Sequence, residues 1–278
     1  MDQHVLAQQE VIIDGRSRGL IEHLGEVLRY RELLLVFAAR DVAVRYKQTV
    51  LGAAWAILQP LVTMIVFSIV FGRLAKIDSN GYPYSIFVFS GLLGWIFFSS
   101  ALSATMNSVL KHAHLINKVY FPRLILPFSA VGSTLLDCMI SFGLLFVLMA
   151  WYGVMPSPSL LLAPVAILFA AITAIGAGSL LAALVVTYRD FAHVQAFLVY
   201  LWLFVTPVIY PVSYVDAGWR HLAYLNPMTG VVDLLRFAIL KISPDPQGLA
   251  ISAATALVLL VAGTQYFLRM ERRFADVI

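Results

Sequence analysis

Six apolar segments, each about as long as a membrane-spanning helix, restrict the possible folds of this chain more than any other feature. A helix needs about 20 mostly apolar residues to cross the hydrocarbon core of a bilayer. Only 12% of the residues are charged and 61% are hydrophobic, whereas soluble domains carry roughly 25% charge. The sequence therefore predicts an all-α membrane protein with six transmembrane helices, at residues 50–72, 84–106, 124–151, 160–187, 193–211 and 249–268.

Positive charge is distributed unequally between the two sides of these segments. If the N-terminus lies inside, the inner segments hold 14 of the 19 Lys and Arg residues, and the outer segments hold the other 5. Cytoplasmic loops carry the excess of Lys and Arg, so both termini are predicted to be cytoplasmic. The net charge of +4 then reflects these loops, and no nucleic-acid partner is expected. The polar start, MDQHVLAQQE, lacks the apolar core of a signal peptide, so we expect no cleavage.

The same pattern divides the chain into a cytoplasmic N-terminal segment, a membrane domain and a short cytoplasmic tail, at residues 1–48, 49–268 and 269–278. Residues 20–47 contain helix formers without Pro and end in a cationic run. This pattern predicts an amphipathic helix in the cytoplasmic interface of the membrane. Two roles stay open for it, which are a plain anchor on anionic lipid and a contact for a cytoplasmic partner.

The connection at residues 212–248 contains a short apolar run, 229–240, that cannot span a bilayer. Asn226 and Pro227 predict the start of a helix over 226–241. Asp233 and Arg236 lie three residues apart, so they share a helix face and can pair. We keep two interpretations open, a helix that dips into or lies at the outer leaflet and an ordinary amphipathic surface helix.

The residues that most enzymes and nucleotide-binding proteins need are missing. No Gly-x-x-x-x-Gly-Lys-Ser/Thr motif cradles a nucleotide, and no His-Glu-x-x-His motif binds zinc. Cys138 is the only cysteine, so an intrachain disulfide is impossible. We therefore expect no cofactor, no metal and no catalytic residue on this chain.

Two alternatives rest on single residues within the apolar segments. Ser179 ends the run Gly176-Ala177-Gly178-Ser179, which resembles the surroundings of an intramembrane serine nucleophile. However, the sixth segment holds no His to activate such a serine, and small residues usually permit close helix packing. Asp137 is the only ionisable residue deep in an apolar run, which leaves an ion-coupled transporter open. Sparse charge and no ATP site otherwise indicate that energy for transport comes from another chain.

Four separated stretches carry a resemblance to a known family. They are DVAVRYKQTVLGAAWAILQP, HLINKVYFPRLILP, VTYRD and LNPMTGVVDLLRFAIL. Together they resemble the permease subunits of type-2 ATP-binding-cassette exporters, in particular those for O-antigen, teichoic acid and capsule polysaccharides. The resemblance covers residues 25–268. It implies a homodimer of permeases in the bacterial inner membrane, with two copies of a separate cytoplasmic ATPase that binds ATP and Mg. The implied substrate is a polysaccharide attached to a lipid carrier.

The resemblance also implies roles for particular segments. Residues Leu28–Tyr46 become the interface helix, and residues 107–120 become a coupling helix that enters a cleft of the ATPase. Polar contacts of the coupling helix would come from Lys111, His114, Asn117 and Lys118, and an apolar plug from Leu115 and Ile116. A second cytoplasmic loop adds Tyr188, Arg189 and Asp190. The periplasmic gate would contain Asn226, Pro227, Asp233 and Arg236. The alternative for residues 107–120 is a basic loop without a partner.

A channel for a sliding glycan needs weak contacts, which aromatic faces can supply against the C–H surfaces of sugars. Phe197, Tyr200 and Phe204 fall at positions i, i+3 and i+7, on one helix face. The other candidates for lining this channel are Tyr46, Trp55, Trp95 and Phe98. Aromatic residues also form interfacial belts and bundle cores, so that alternative stays open. A drug or small-lipid exporter of the same superfamily stays open as well.

Overall fold

The computed structural model describes residues 20–47, 54–116, 118–119, 121–188 and 190–277. Every regular element in these ranges is helical, so the predicted all-α fold is confirmed. The α-helices are α1 (Leu20–Arg29), α2 (Arg31–Lys47), α3 (Ala54–Phe67), α4 (Tyr84–Lys111), α5 (Ala113–Ile116), α6 (Ile125–Trp151), α7 (Ala163–Thr187), α8 (Phe191–Val205), α9 (Ala217–Ala223), α10 (Pro227–Leu240) and α11 (Pro246–Val277). A π-helix, Ser68–Leu74, extends α3, and 3₁₀ turns cover Pro158–Leu162 and Val212–Tyr214.

Five helices in the described part of the chain are long and apolar enough to cross a membrane. They are Ala54–Leu74, Tyr84–Lys111, Ile125–Trp151, Pro158–Thr187 and Pro246–Glu271. Each corresponds to one of the predicted spans, although residues 50–53 of the first prediction lie outside the described ranges. The chain is thus a multi-pass membrane protein.

The helix in the predicted segment 193–211 is shorter than expected. Helix α8 has 15 residues, so it is about 22 Å long, whereas the hydrocarbon core is about 30 Å thick. The helix ends because Pro207 disfavours helical geometry at Thr206, which is extended. The backbone from Thr206 to Pro211 therefore continues without a helix, and its polar groups need partners in the protein.

Helix α4 forms the centre of the bundle. Most of its side chains are buried, because α3, α6, α7 and α10 all pack against it. Helix α10 inserts between α4, α7 and α11, and only Leu234 and Phe237 of its 14 residues are not buried. The interpretation of residues 226–241 as an ordinary surface helix is therefore wrong, and a position of this helix in the outer leaflet stays a prediction.

Helices α7 and α11 approach each other through two glycines. A Cβ atom on Gly176 would lie 2.5 Å from the backbone nitrogen of Leu260, and one on Gly263 would lie 1.9 Å from the carbonyl oxygen of Gly176. The small residues thus serve close packing. Ser179 is fully buried, and its hydroxyl has no hydrogen-bond partner among the described residues, which contradicts a nucleophilic role.

Helices α1 and α2 lie beside the end of the bundle where α4 and α11 end. The predicted single helix over residues 20–47 is broken at Tyr30. Helix α2 buries Phe37 and Asp41 against the bundle. Leu28 of α1 and Leu35 of α2 stay exposed. Exposed apolar side chains on helices outside the bundle are consistent with a position in the membrane interface.

Candidate functional site

A polar cavity of about 680 Å³ lies between α2, α3, α4 and α6. This volume is within the range of roughly 300–1,000 Å³ found for ligand sites. Its walls carry many hydroxyl and amide groups, including those of Gln59, Ser99, Ser103, Asn107, Thr134 and Ser141. The wall also carries charged side chains of both signs, those of Asp41, Arg45, Lys111 and Asp137, so it combines ion pairs with uncharged hydrogen-bonding groups.

Asp137 is at the edge of this cavity, and its carboxylate already has two donors. The guanidinium of Arg45 and the hydroxyl of Tyr46 both donate to it, so the end of α2 is bound to the middle of α6. Burial, followed by the hydrogen bond to Asp137, raises the pKa of Tyr46 to about 12. The ion-coupled alternative loses its main observation, because Asp137 is ion-paired within the chain.

Asp41 binds the same helix to the junction between α4 and α5. Its carboxylate lies 2.7 Å from Nζ of Lys111 and 3.7 Å from Nε2 of His112. The ring of His112 also packs on Phe37, with 5.2 Å between centroids. Burial lowers the pKa of His112, although the nearby Asp41 carboxylate acts in the opposite direction. Helix α2 thus connects the predicted coupling segment with the polar cavity.

The predicted coupling helix over residues 107–120 is divided in two. Helix α4 ends at Lys111, and α5 covers only Ala113–Ile116. His114 and Lys118 are exposed, whereas Lys111 is already paired with Asp41. Asn117 and Arg189, which were predicted to contact the ATPase, lie outside the described residues, and Tyr188 and Asp190 are exposed.

The apolar plug predicted from Leu115 and Ile116 needs correction. Ile116 is only 8% exposed, because it packs with Phe37, Phe121 and other residues of the chain's own core, and Leu115 is half-buried against the same cluster. Val119 is 59% exposed instead. Together with Leu110, which is 43% exposed, Val119 gives a partner an apolar contact among the described residues of this segment, and the sequence pattern singled out neither residue.

The predicted channel aromatics separate into two groups. Phe197, Tyr200 and Phe204 are 45–61% exposed on one face of α8, and Trp55 is 54% exposed at the start of α3. The Tyr200 and Phe204 rings meet edge to face, 5.1 Å apart. Tyr46 is half-buried at the polar cavity.

Trp95 and Phe98 do not line an open surface. They are 5% and 0% exposed, and the ring of Phe98 packs 4.9 Å from that of Trp202. Their assignment to a channel is therefore wrong. The physical reason is that α4 lies at the centre of the bundle, where α3, α6, α7 and α10 pack against it.

The predicted gate residues lie at the end of the bundle opposite α2. Asn226 caps α10 by accepting from the Met228 amide at 3.0 Å, so the predicted helix start at Asn226-Pro227 is confirmed. Its side chain also accepts from the indole of Trp202 and donates to the Thr206 hydroxyl, both at 2.8 Å. Asn226 thereby joins the end of α8 to the start of α10.

Asp233 and Arg236 have separate partners, although the sequence predicted that they can pair. Asp233 accepts from the Tyr224 hydroxyl at 2.6 Å. The guanidinium of Arg236 donates to the carbonyls of Val208 and Tyr210 at 2.8 and 3.1 Å. Arg236 thus satisfies the non-helical backbone after α8, which a membrane protein must do internally.

The fold and these sites define a helical, multi-pass membrane permease. The chain belongs to the ABC-2 type transporter family, whose model matches residues 32–240. The resemblance seen in the four sequence stretches is therefore confirmed. Membership implies an ATP-binding-cassette ATPase as the partner.

Individual relatives match nearly the whole chain. It is 33% identical over 262 residues to the O-antigen export system permease protein RfbA of Myxococcus xanthus, a match that covers 93% of this chain and 100% of that relative. It is 24% identical over 248 residues to proteins of the same name from Klebsiella pneumoniae, covering 89% of this chain and 95% of the relatives.

Proposed function

We propose that this chain is the permease of an exporter that moves a lipid-linked, O-antigen-like polysaccharide from the cytoplasm across the bacterial inner membrane. The observation that carries the proposal is the similarity to the Myxococcus xanthus O-antigen export permease along that protein's full length. Capsule polysaccharide and teichoic acid are the second candidates, because the four sequence stretches also resemble the permeases that export these polymers.

A homodimer supplies the path in this proposal. Helices α3 and α8 expose apolar and aromatic faces that the monomer leaves uncovered, including Trp55, Val62, Phe197, Tyr200 and Phe204. Two copies facing each other along these helices form a channel with aromatic walls, on which sugar rings slide without fixed charge. The hydroxyl-rich cavity beside α3 widens the cytoplasmic half of each wall.

The energy comes from two copies of a separate ATPase, which bind ATP and Mg. The exposed side chains of His114, Lys118 and Val119 form the contact surface on this chain. Movement of this segment reaches α2 through the Asp41–Lys111 ion pair, and α6 through Asp137. ATP binding thereby biases the permease between two arrangements, which is the physical content of coupling. In this arrangement both termini are cytoplasmic.

The proposal is tested in cells that lack this chain, with the chain and its ATPase supplied on a plasmid. Surface polysaccharide should be restored, and without the chain the lipid-linked polymer should accumulate on the cytoplasmic side. Restored export of a drug or small lipid, with no effect on surface polysaccharide, would refute the proposal. Purification should give a complex of two permeases and two ATPases with ATPase activity.

The channel wall is tested separately by replacing Tyr200 and Phe204 with Ala. Each ring contributes about 0.5–1.5 kcal/mol of contact energy, so export should fall roughly fivefold or more while assembly and ATPase activity remain. Replacing the neighbouring Leu201 and Val205 with Ala is the matched control, because these exposed apolar side chains lack a ring. Equal export by both double variants would show that the rings do not contact the polymer.

A further inference from the structure

A second, smaller cavity lies at the end of the bundle opposite α2. It has a volume of about 240 Å³ and lies between the chain after α8, α9, α10 and the loop before α11. Five polar side chains matter in its wall, those of Arg220, Tyr224, Asp233, Arg236 and Asp245. The cavity is smaller than most sites for drug-sized ligands, so it suits a single small unit.

Two arginines bring guanidinium groups to the wall of this cavity. The Nε atoms of Arg220 and Arg236 are buried and have no hydrogen-bond partner among the described residues. Arg236 is only 2% exposed, and its two other nitrogens are used by the carbonyls of Val208 and Tyr210. Both Nε atoms are closed off from the cavity, so an occupant meets the half-buried Arg220 through its terminal nitrogens, whereas Arg236 mainly holds the backbone after α8.

The wall also carries acceptors, and this restricts the chemistry of the ligand. Asp233 and Asp245 place carboxylates beside the two guanidinium groups. A phosphate or other anion satisfies the arginines but is repelled by the carboxylates. A metal cation satisfies the carboxylates but is repelled by the guanidinium groups. A hydroxyl group accepts from an arginine and donates to a carboxylate, so neighbouring hydroxyls on one sugar ring satisfy both.

We propose that this cavity is a sugar-binding subsite, which holds one hydroxyl-rich unit of the exported polymer as it leaves the membrane. The inference rests on the proposed function. Successive sugar units bind and leave here, and an occupied subsite opposes backward sliding of the chain. Arg220 and Asp245 act at the rim, since both are only half-buried, whereas Arg236 also holds the backbone after α8.

The test uses the rim residues, because they carry less of the fold. Asp245→Asn keeps the cap on α11, where Asp245 accepts from the Gln247 amide at 3.1 Å, and Arg220→Gln keeps a polar side chain. Matched controls are Arg73→Gln and Asp216→Asn, which remove the same charges from exposed positions outside the cavity.

Binding is measured by saturation-transfer NMR on the complete complex in nanodiscs, with free mannose, galactose, glucose and rhamnose as probes and inorganic phosphate as the competing anion. We expect at least one sugar to bind, roughly tenfold more weakly in Arg220→Gln and Asp245→Asn, as for one hydrogen bond to a charged group. The controls should bind as the unmodified complex does. Export should slow in the rim variants while ATPase activity remains.

Several results would overturn the subsite. The first is binding of phosphate in place of sugar, and the second is sugar binding of unchanged strength in the rim variants. The third is the absence of any sugar signal, together with equal export rates for the unmodified complex and the rim variants. The last result would indicate a cavity filled by water. Failure of the unmodified complex to export any polysaccharide is a different result, because it contradicts the proposed function itself.

Discussion

The contact between α7 and α11 leads to a prediction about Gly263, whose replacement by Ala should destabilise the protein. The new Cβ atom would lie 1.9 Å from the carbonyl oxygen of Gly176, whereas ordinary van der Waals contact begins at 3.4 Å. The helices must therefore separate locally by about 1.5 Å, the difference between these distances. The obstacle is backbone, so no side-chain rotation can relieve it.

The expected free-energy change follows from this separation. A gap of 0.5–1 Å already removes about a quarter to a half of the dispersion energy of an atom pair, and α7 and α11 form one of the most extensive helix contacts in the protein. Overpacked sites lose about 1–3 kcal/mol, and we expect the upper end here. For a chain of this size, about 3 kcal/mol lowers Tm by roughly 6–12 °C.

The assay is thermal unfolding of the purified complex in detergent, followed by tryptophan fluorescence. Gly143→Ala on α6 is the matched control, because its Cβ atom would meet nothing within 4 Å, so that variant should be neutral or slightly more stable. Gly176→Ala should also lower the stability of the protein. The double variant should lose less stability than the sum of the two single variants, because one separation of α7 from α11 relieves both contacts. Equal Tm values for Gly263→Ala and Gly143→Ala would refute the close approach of the two helices.

Two further predictions concern the connections of α2, and a third concerns the segment predicted to contact the ATPase. Asp137→Asn should keep export, because the Asn side chain still accepts a hydrogen bond from Tyr46. Asp137→Ala should lower the free energy of unfolding by about 1–2 kcal/mol in denaturation assays, a modest value because the ion pair with Arg45 is partly exposed. Loss of export in a folded Asp137→Asn protein would restore the ion-coupled alternative. Because burial lowers the pKa of His112, the unfolded chain binds a proton at a higher pH than the folded protein, so the neutral buried ring contributes stability above about pH 6.5 that is lost as pH falls through the folded pKa. His112→Gln should therefore flatten the dependence of Tm on pH between about 7.5 and 5. An unchanged slope would contradict the lowered pKa of His112. Val119→Asp should weaken binding of the ATPase in pull-down experiments without changing Tm, whereas Ile116→Asp should unfold the buried cluster and lower Tm. The reverse pattern would show that Ile116 is the apolar residue that contacts the ATPase.

Much of the candidate site could be located from local patterns. The start of α10 at Asn226-Pro227 was predictable because capping uses neighbouring residues, and the exposed face of α8 was predictable because Phe197, Tyr200 and Phe204 share one helical stripe. These features depend on residues within a few turns of one another.

Other features depended on distant contacts. Asp137 stood out in the sequence as a lone acid, but its partners are 91 and 92 residues away. Arg236 had an obvious neighbour in Asp233, yet it binds carbonyls that became available only because α8 stops at Val205. No local pattern gives the distance between such groups.

Local sequence patterns were enough to predict a membrane protein with long apolar helices, the short helix α10 and the transporter family, because hydropathy, capping and the four resembling stretches lie along the chain. The tertiary structure decided which apolar residues face a partner and which, like Ile116, fill the core. It also decided that α2 connects the α4–α5 junction to the polar cavity, and that two arginines share the cavity at the other end. The physical reason is that burial and electrostatic pairing depend on the close approach of helices that the sequence keeps far apart.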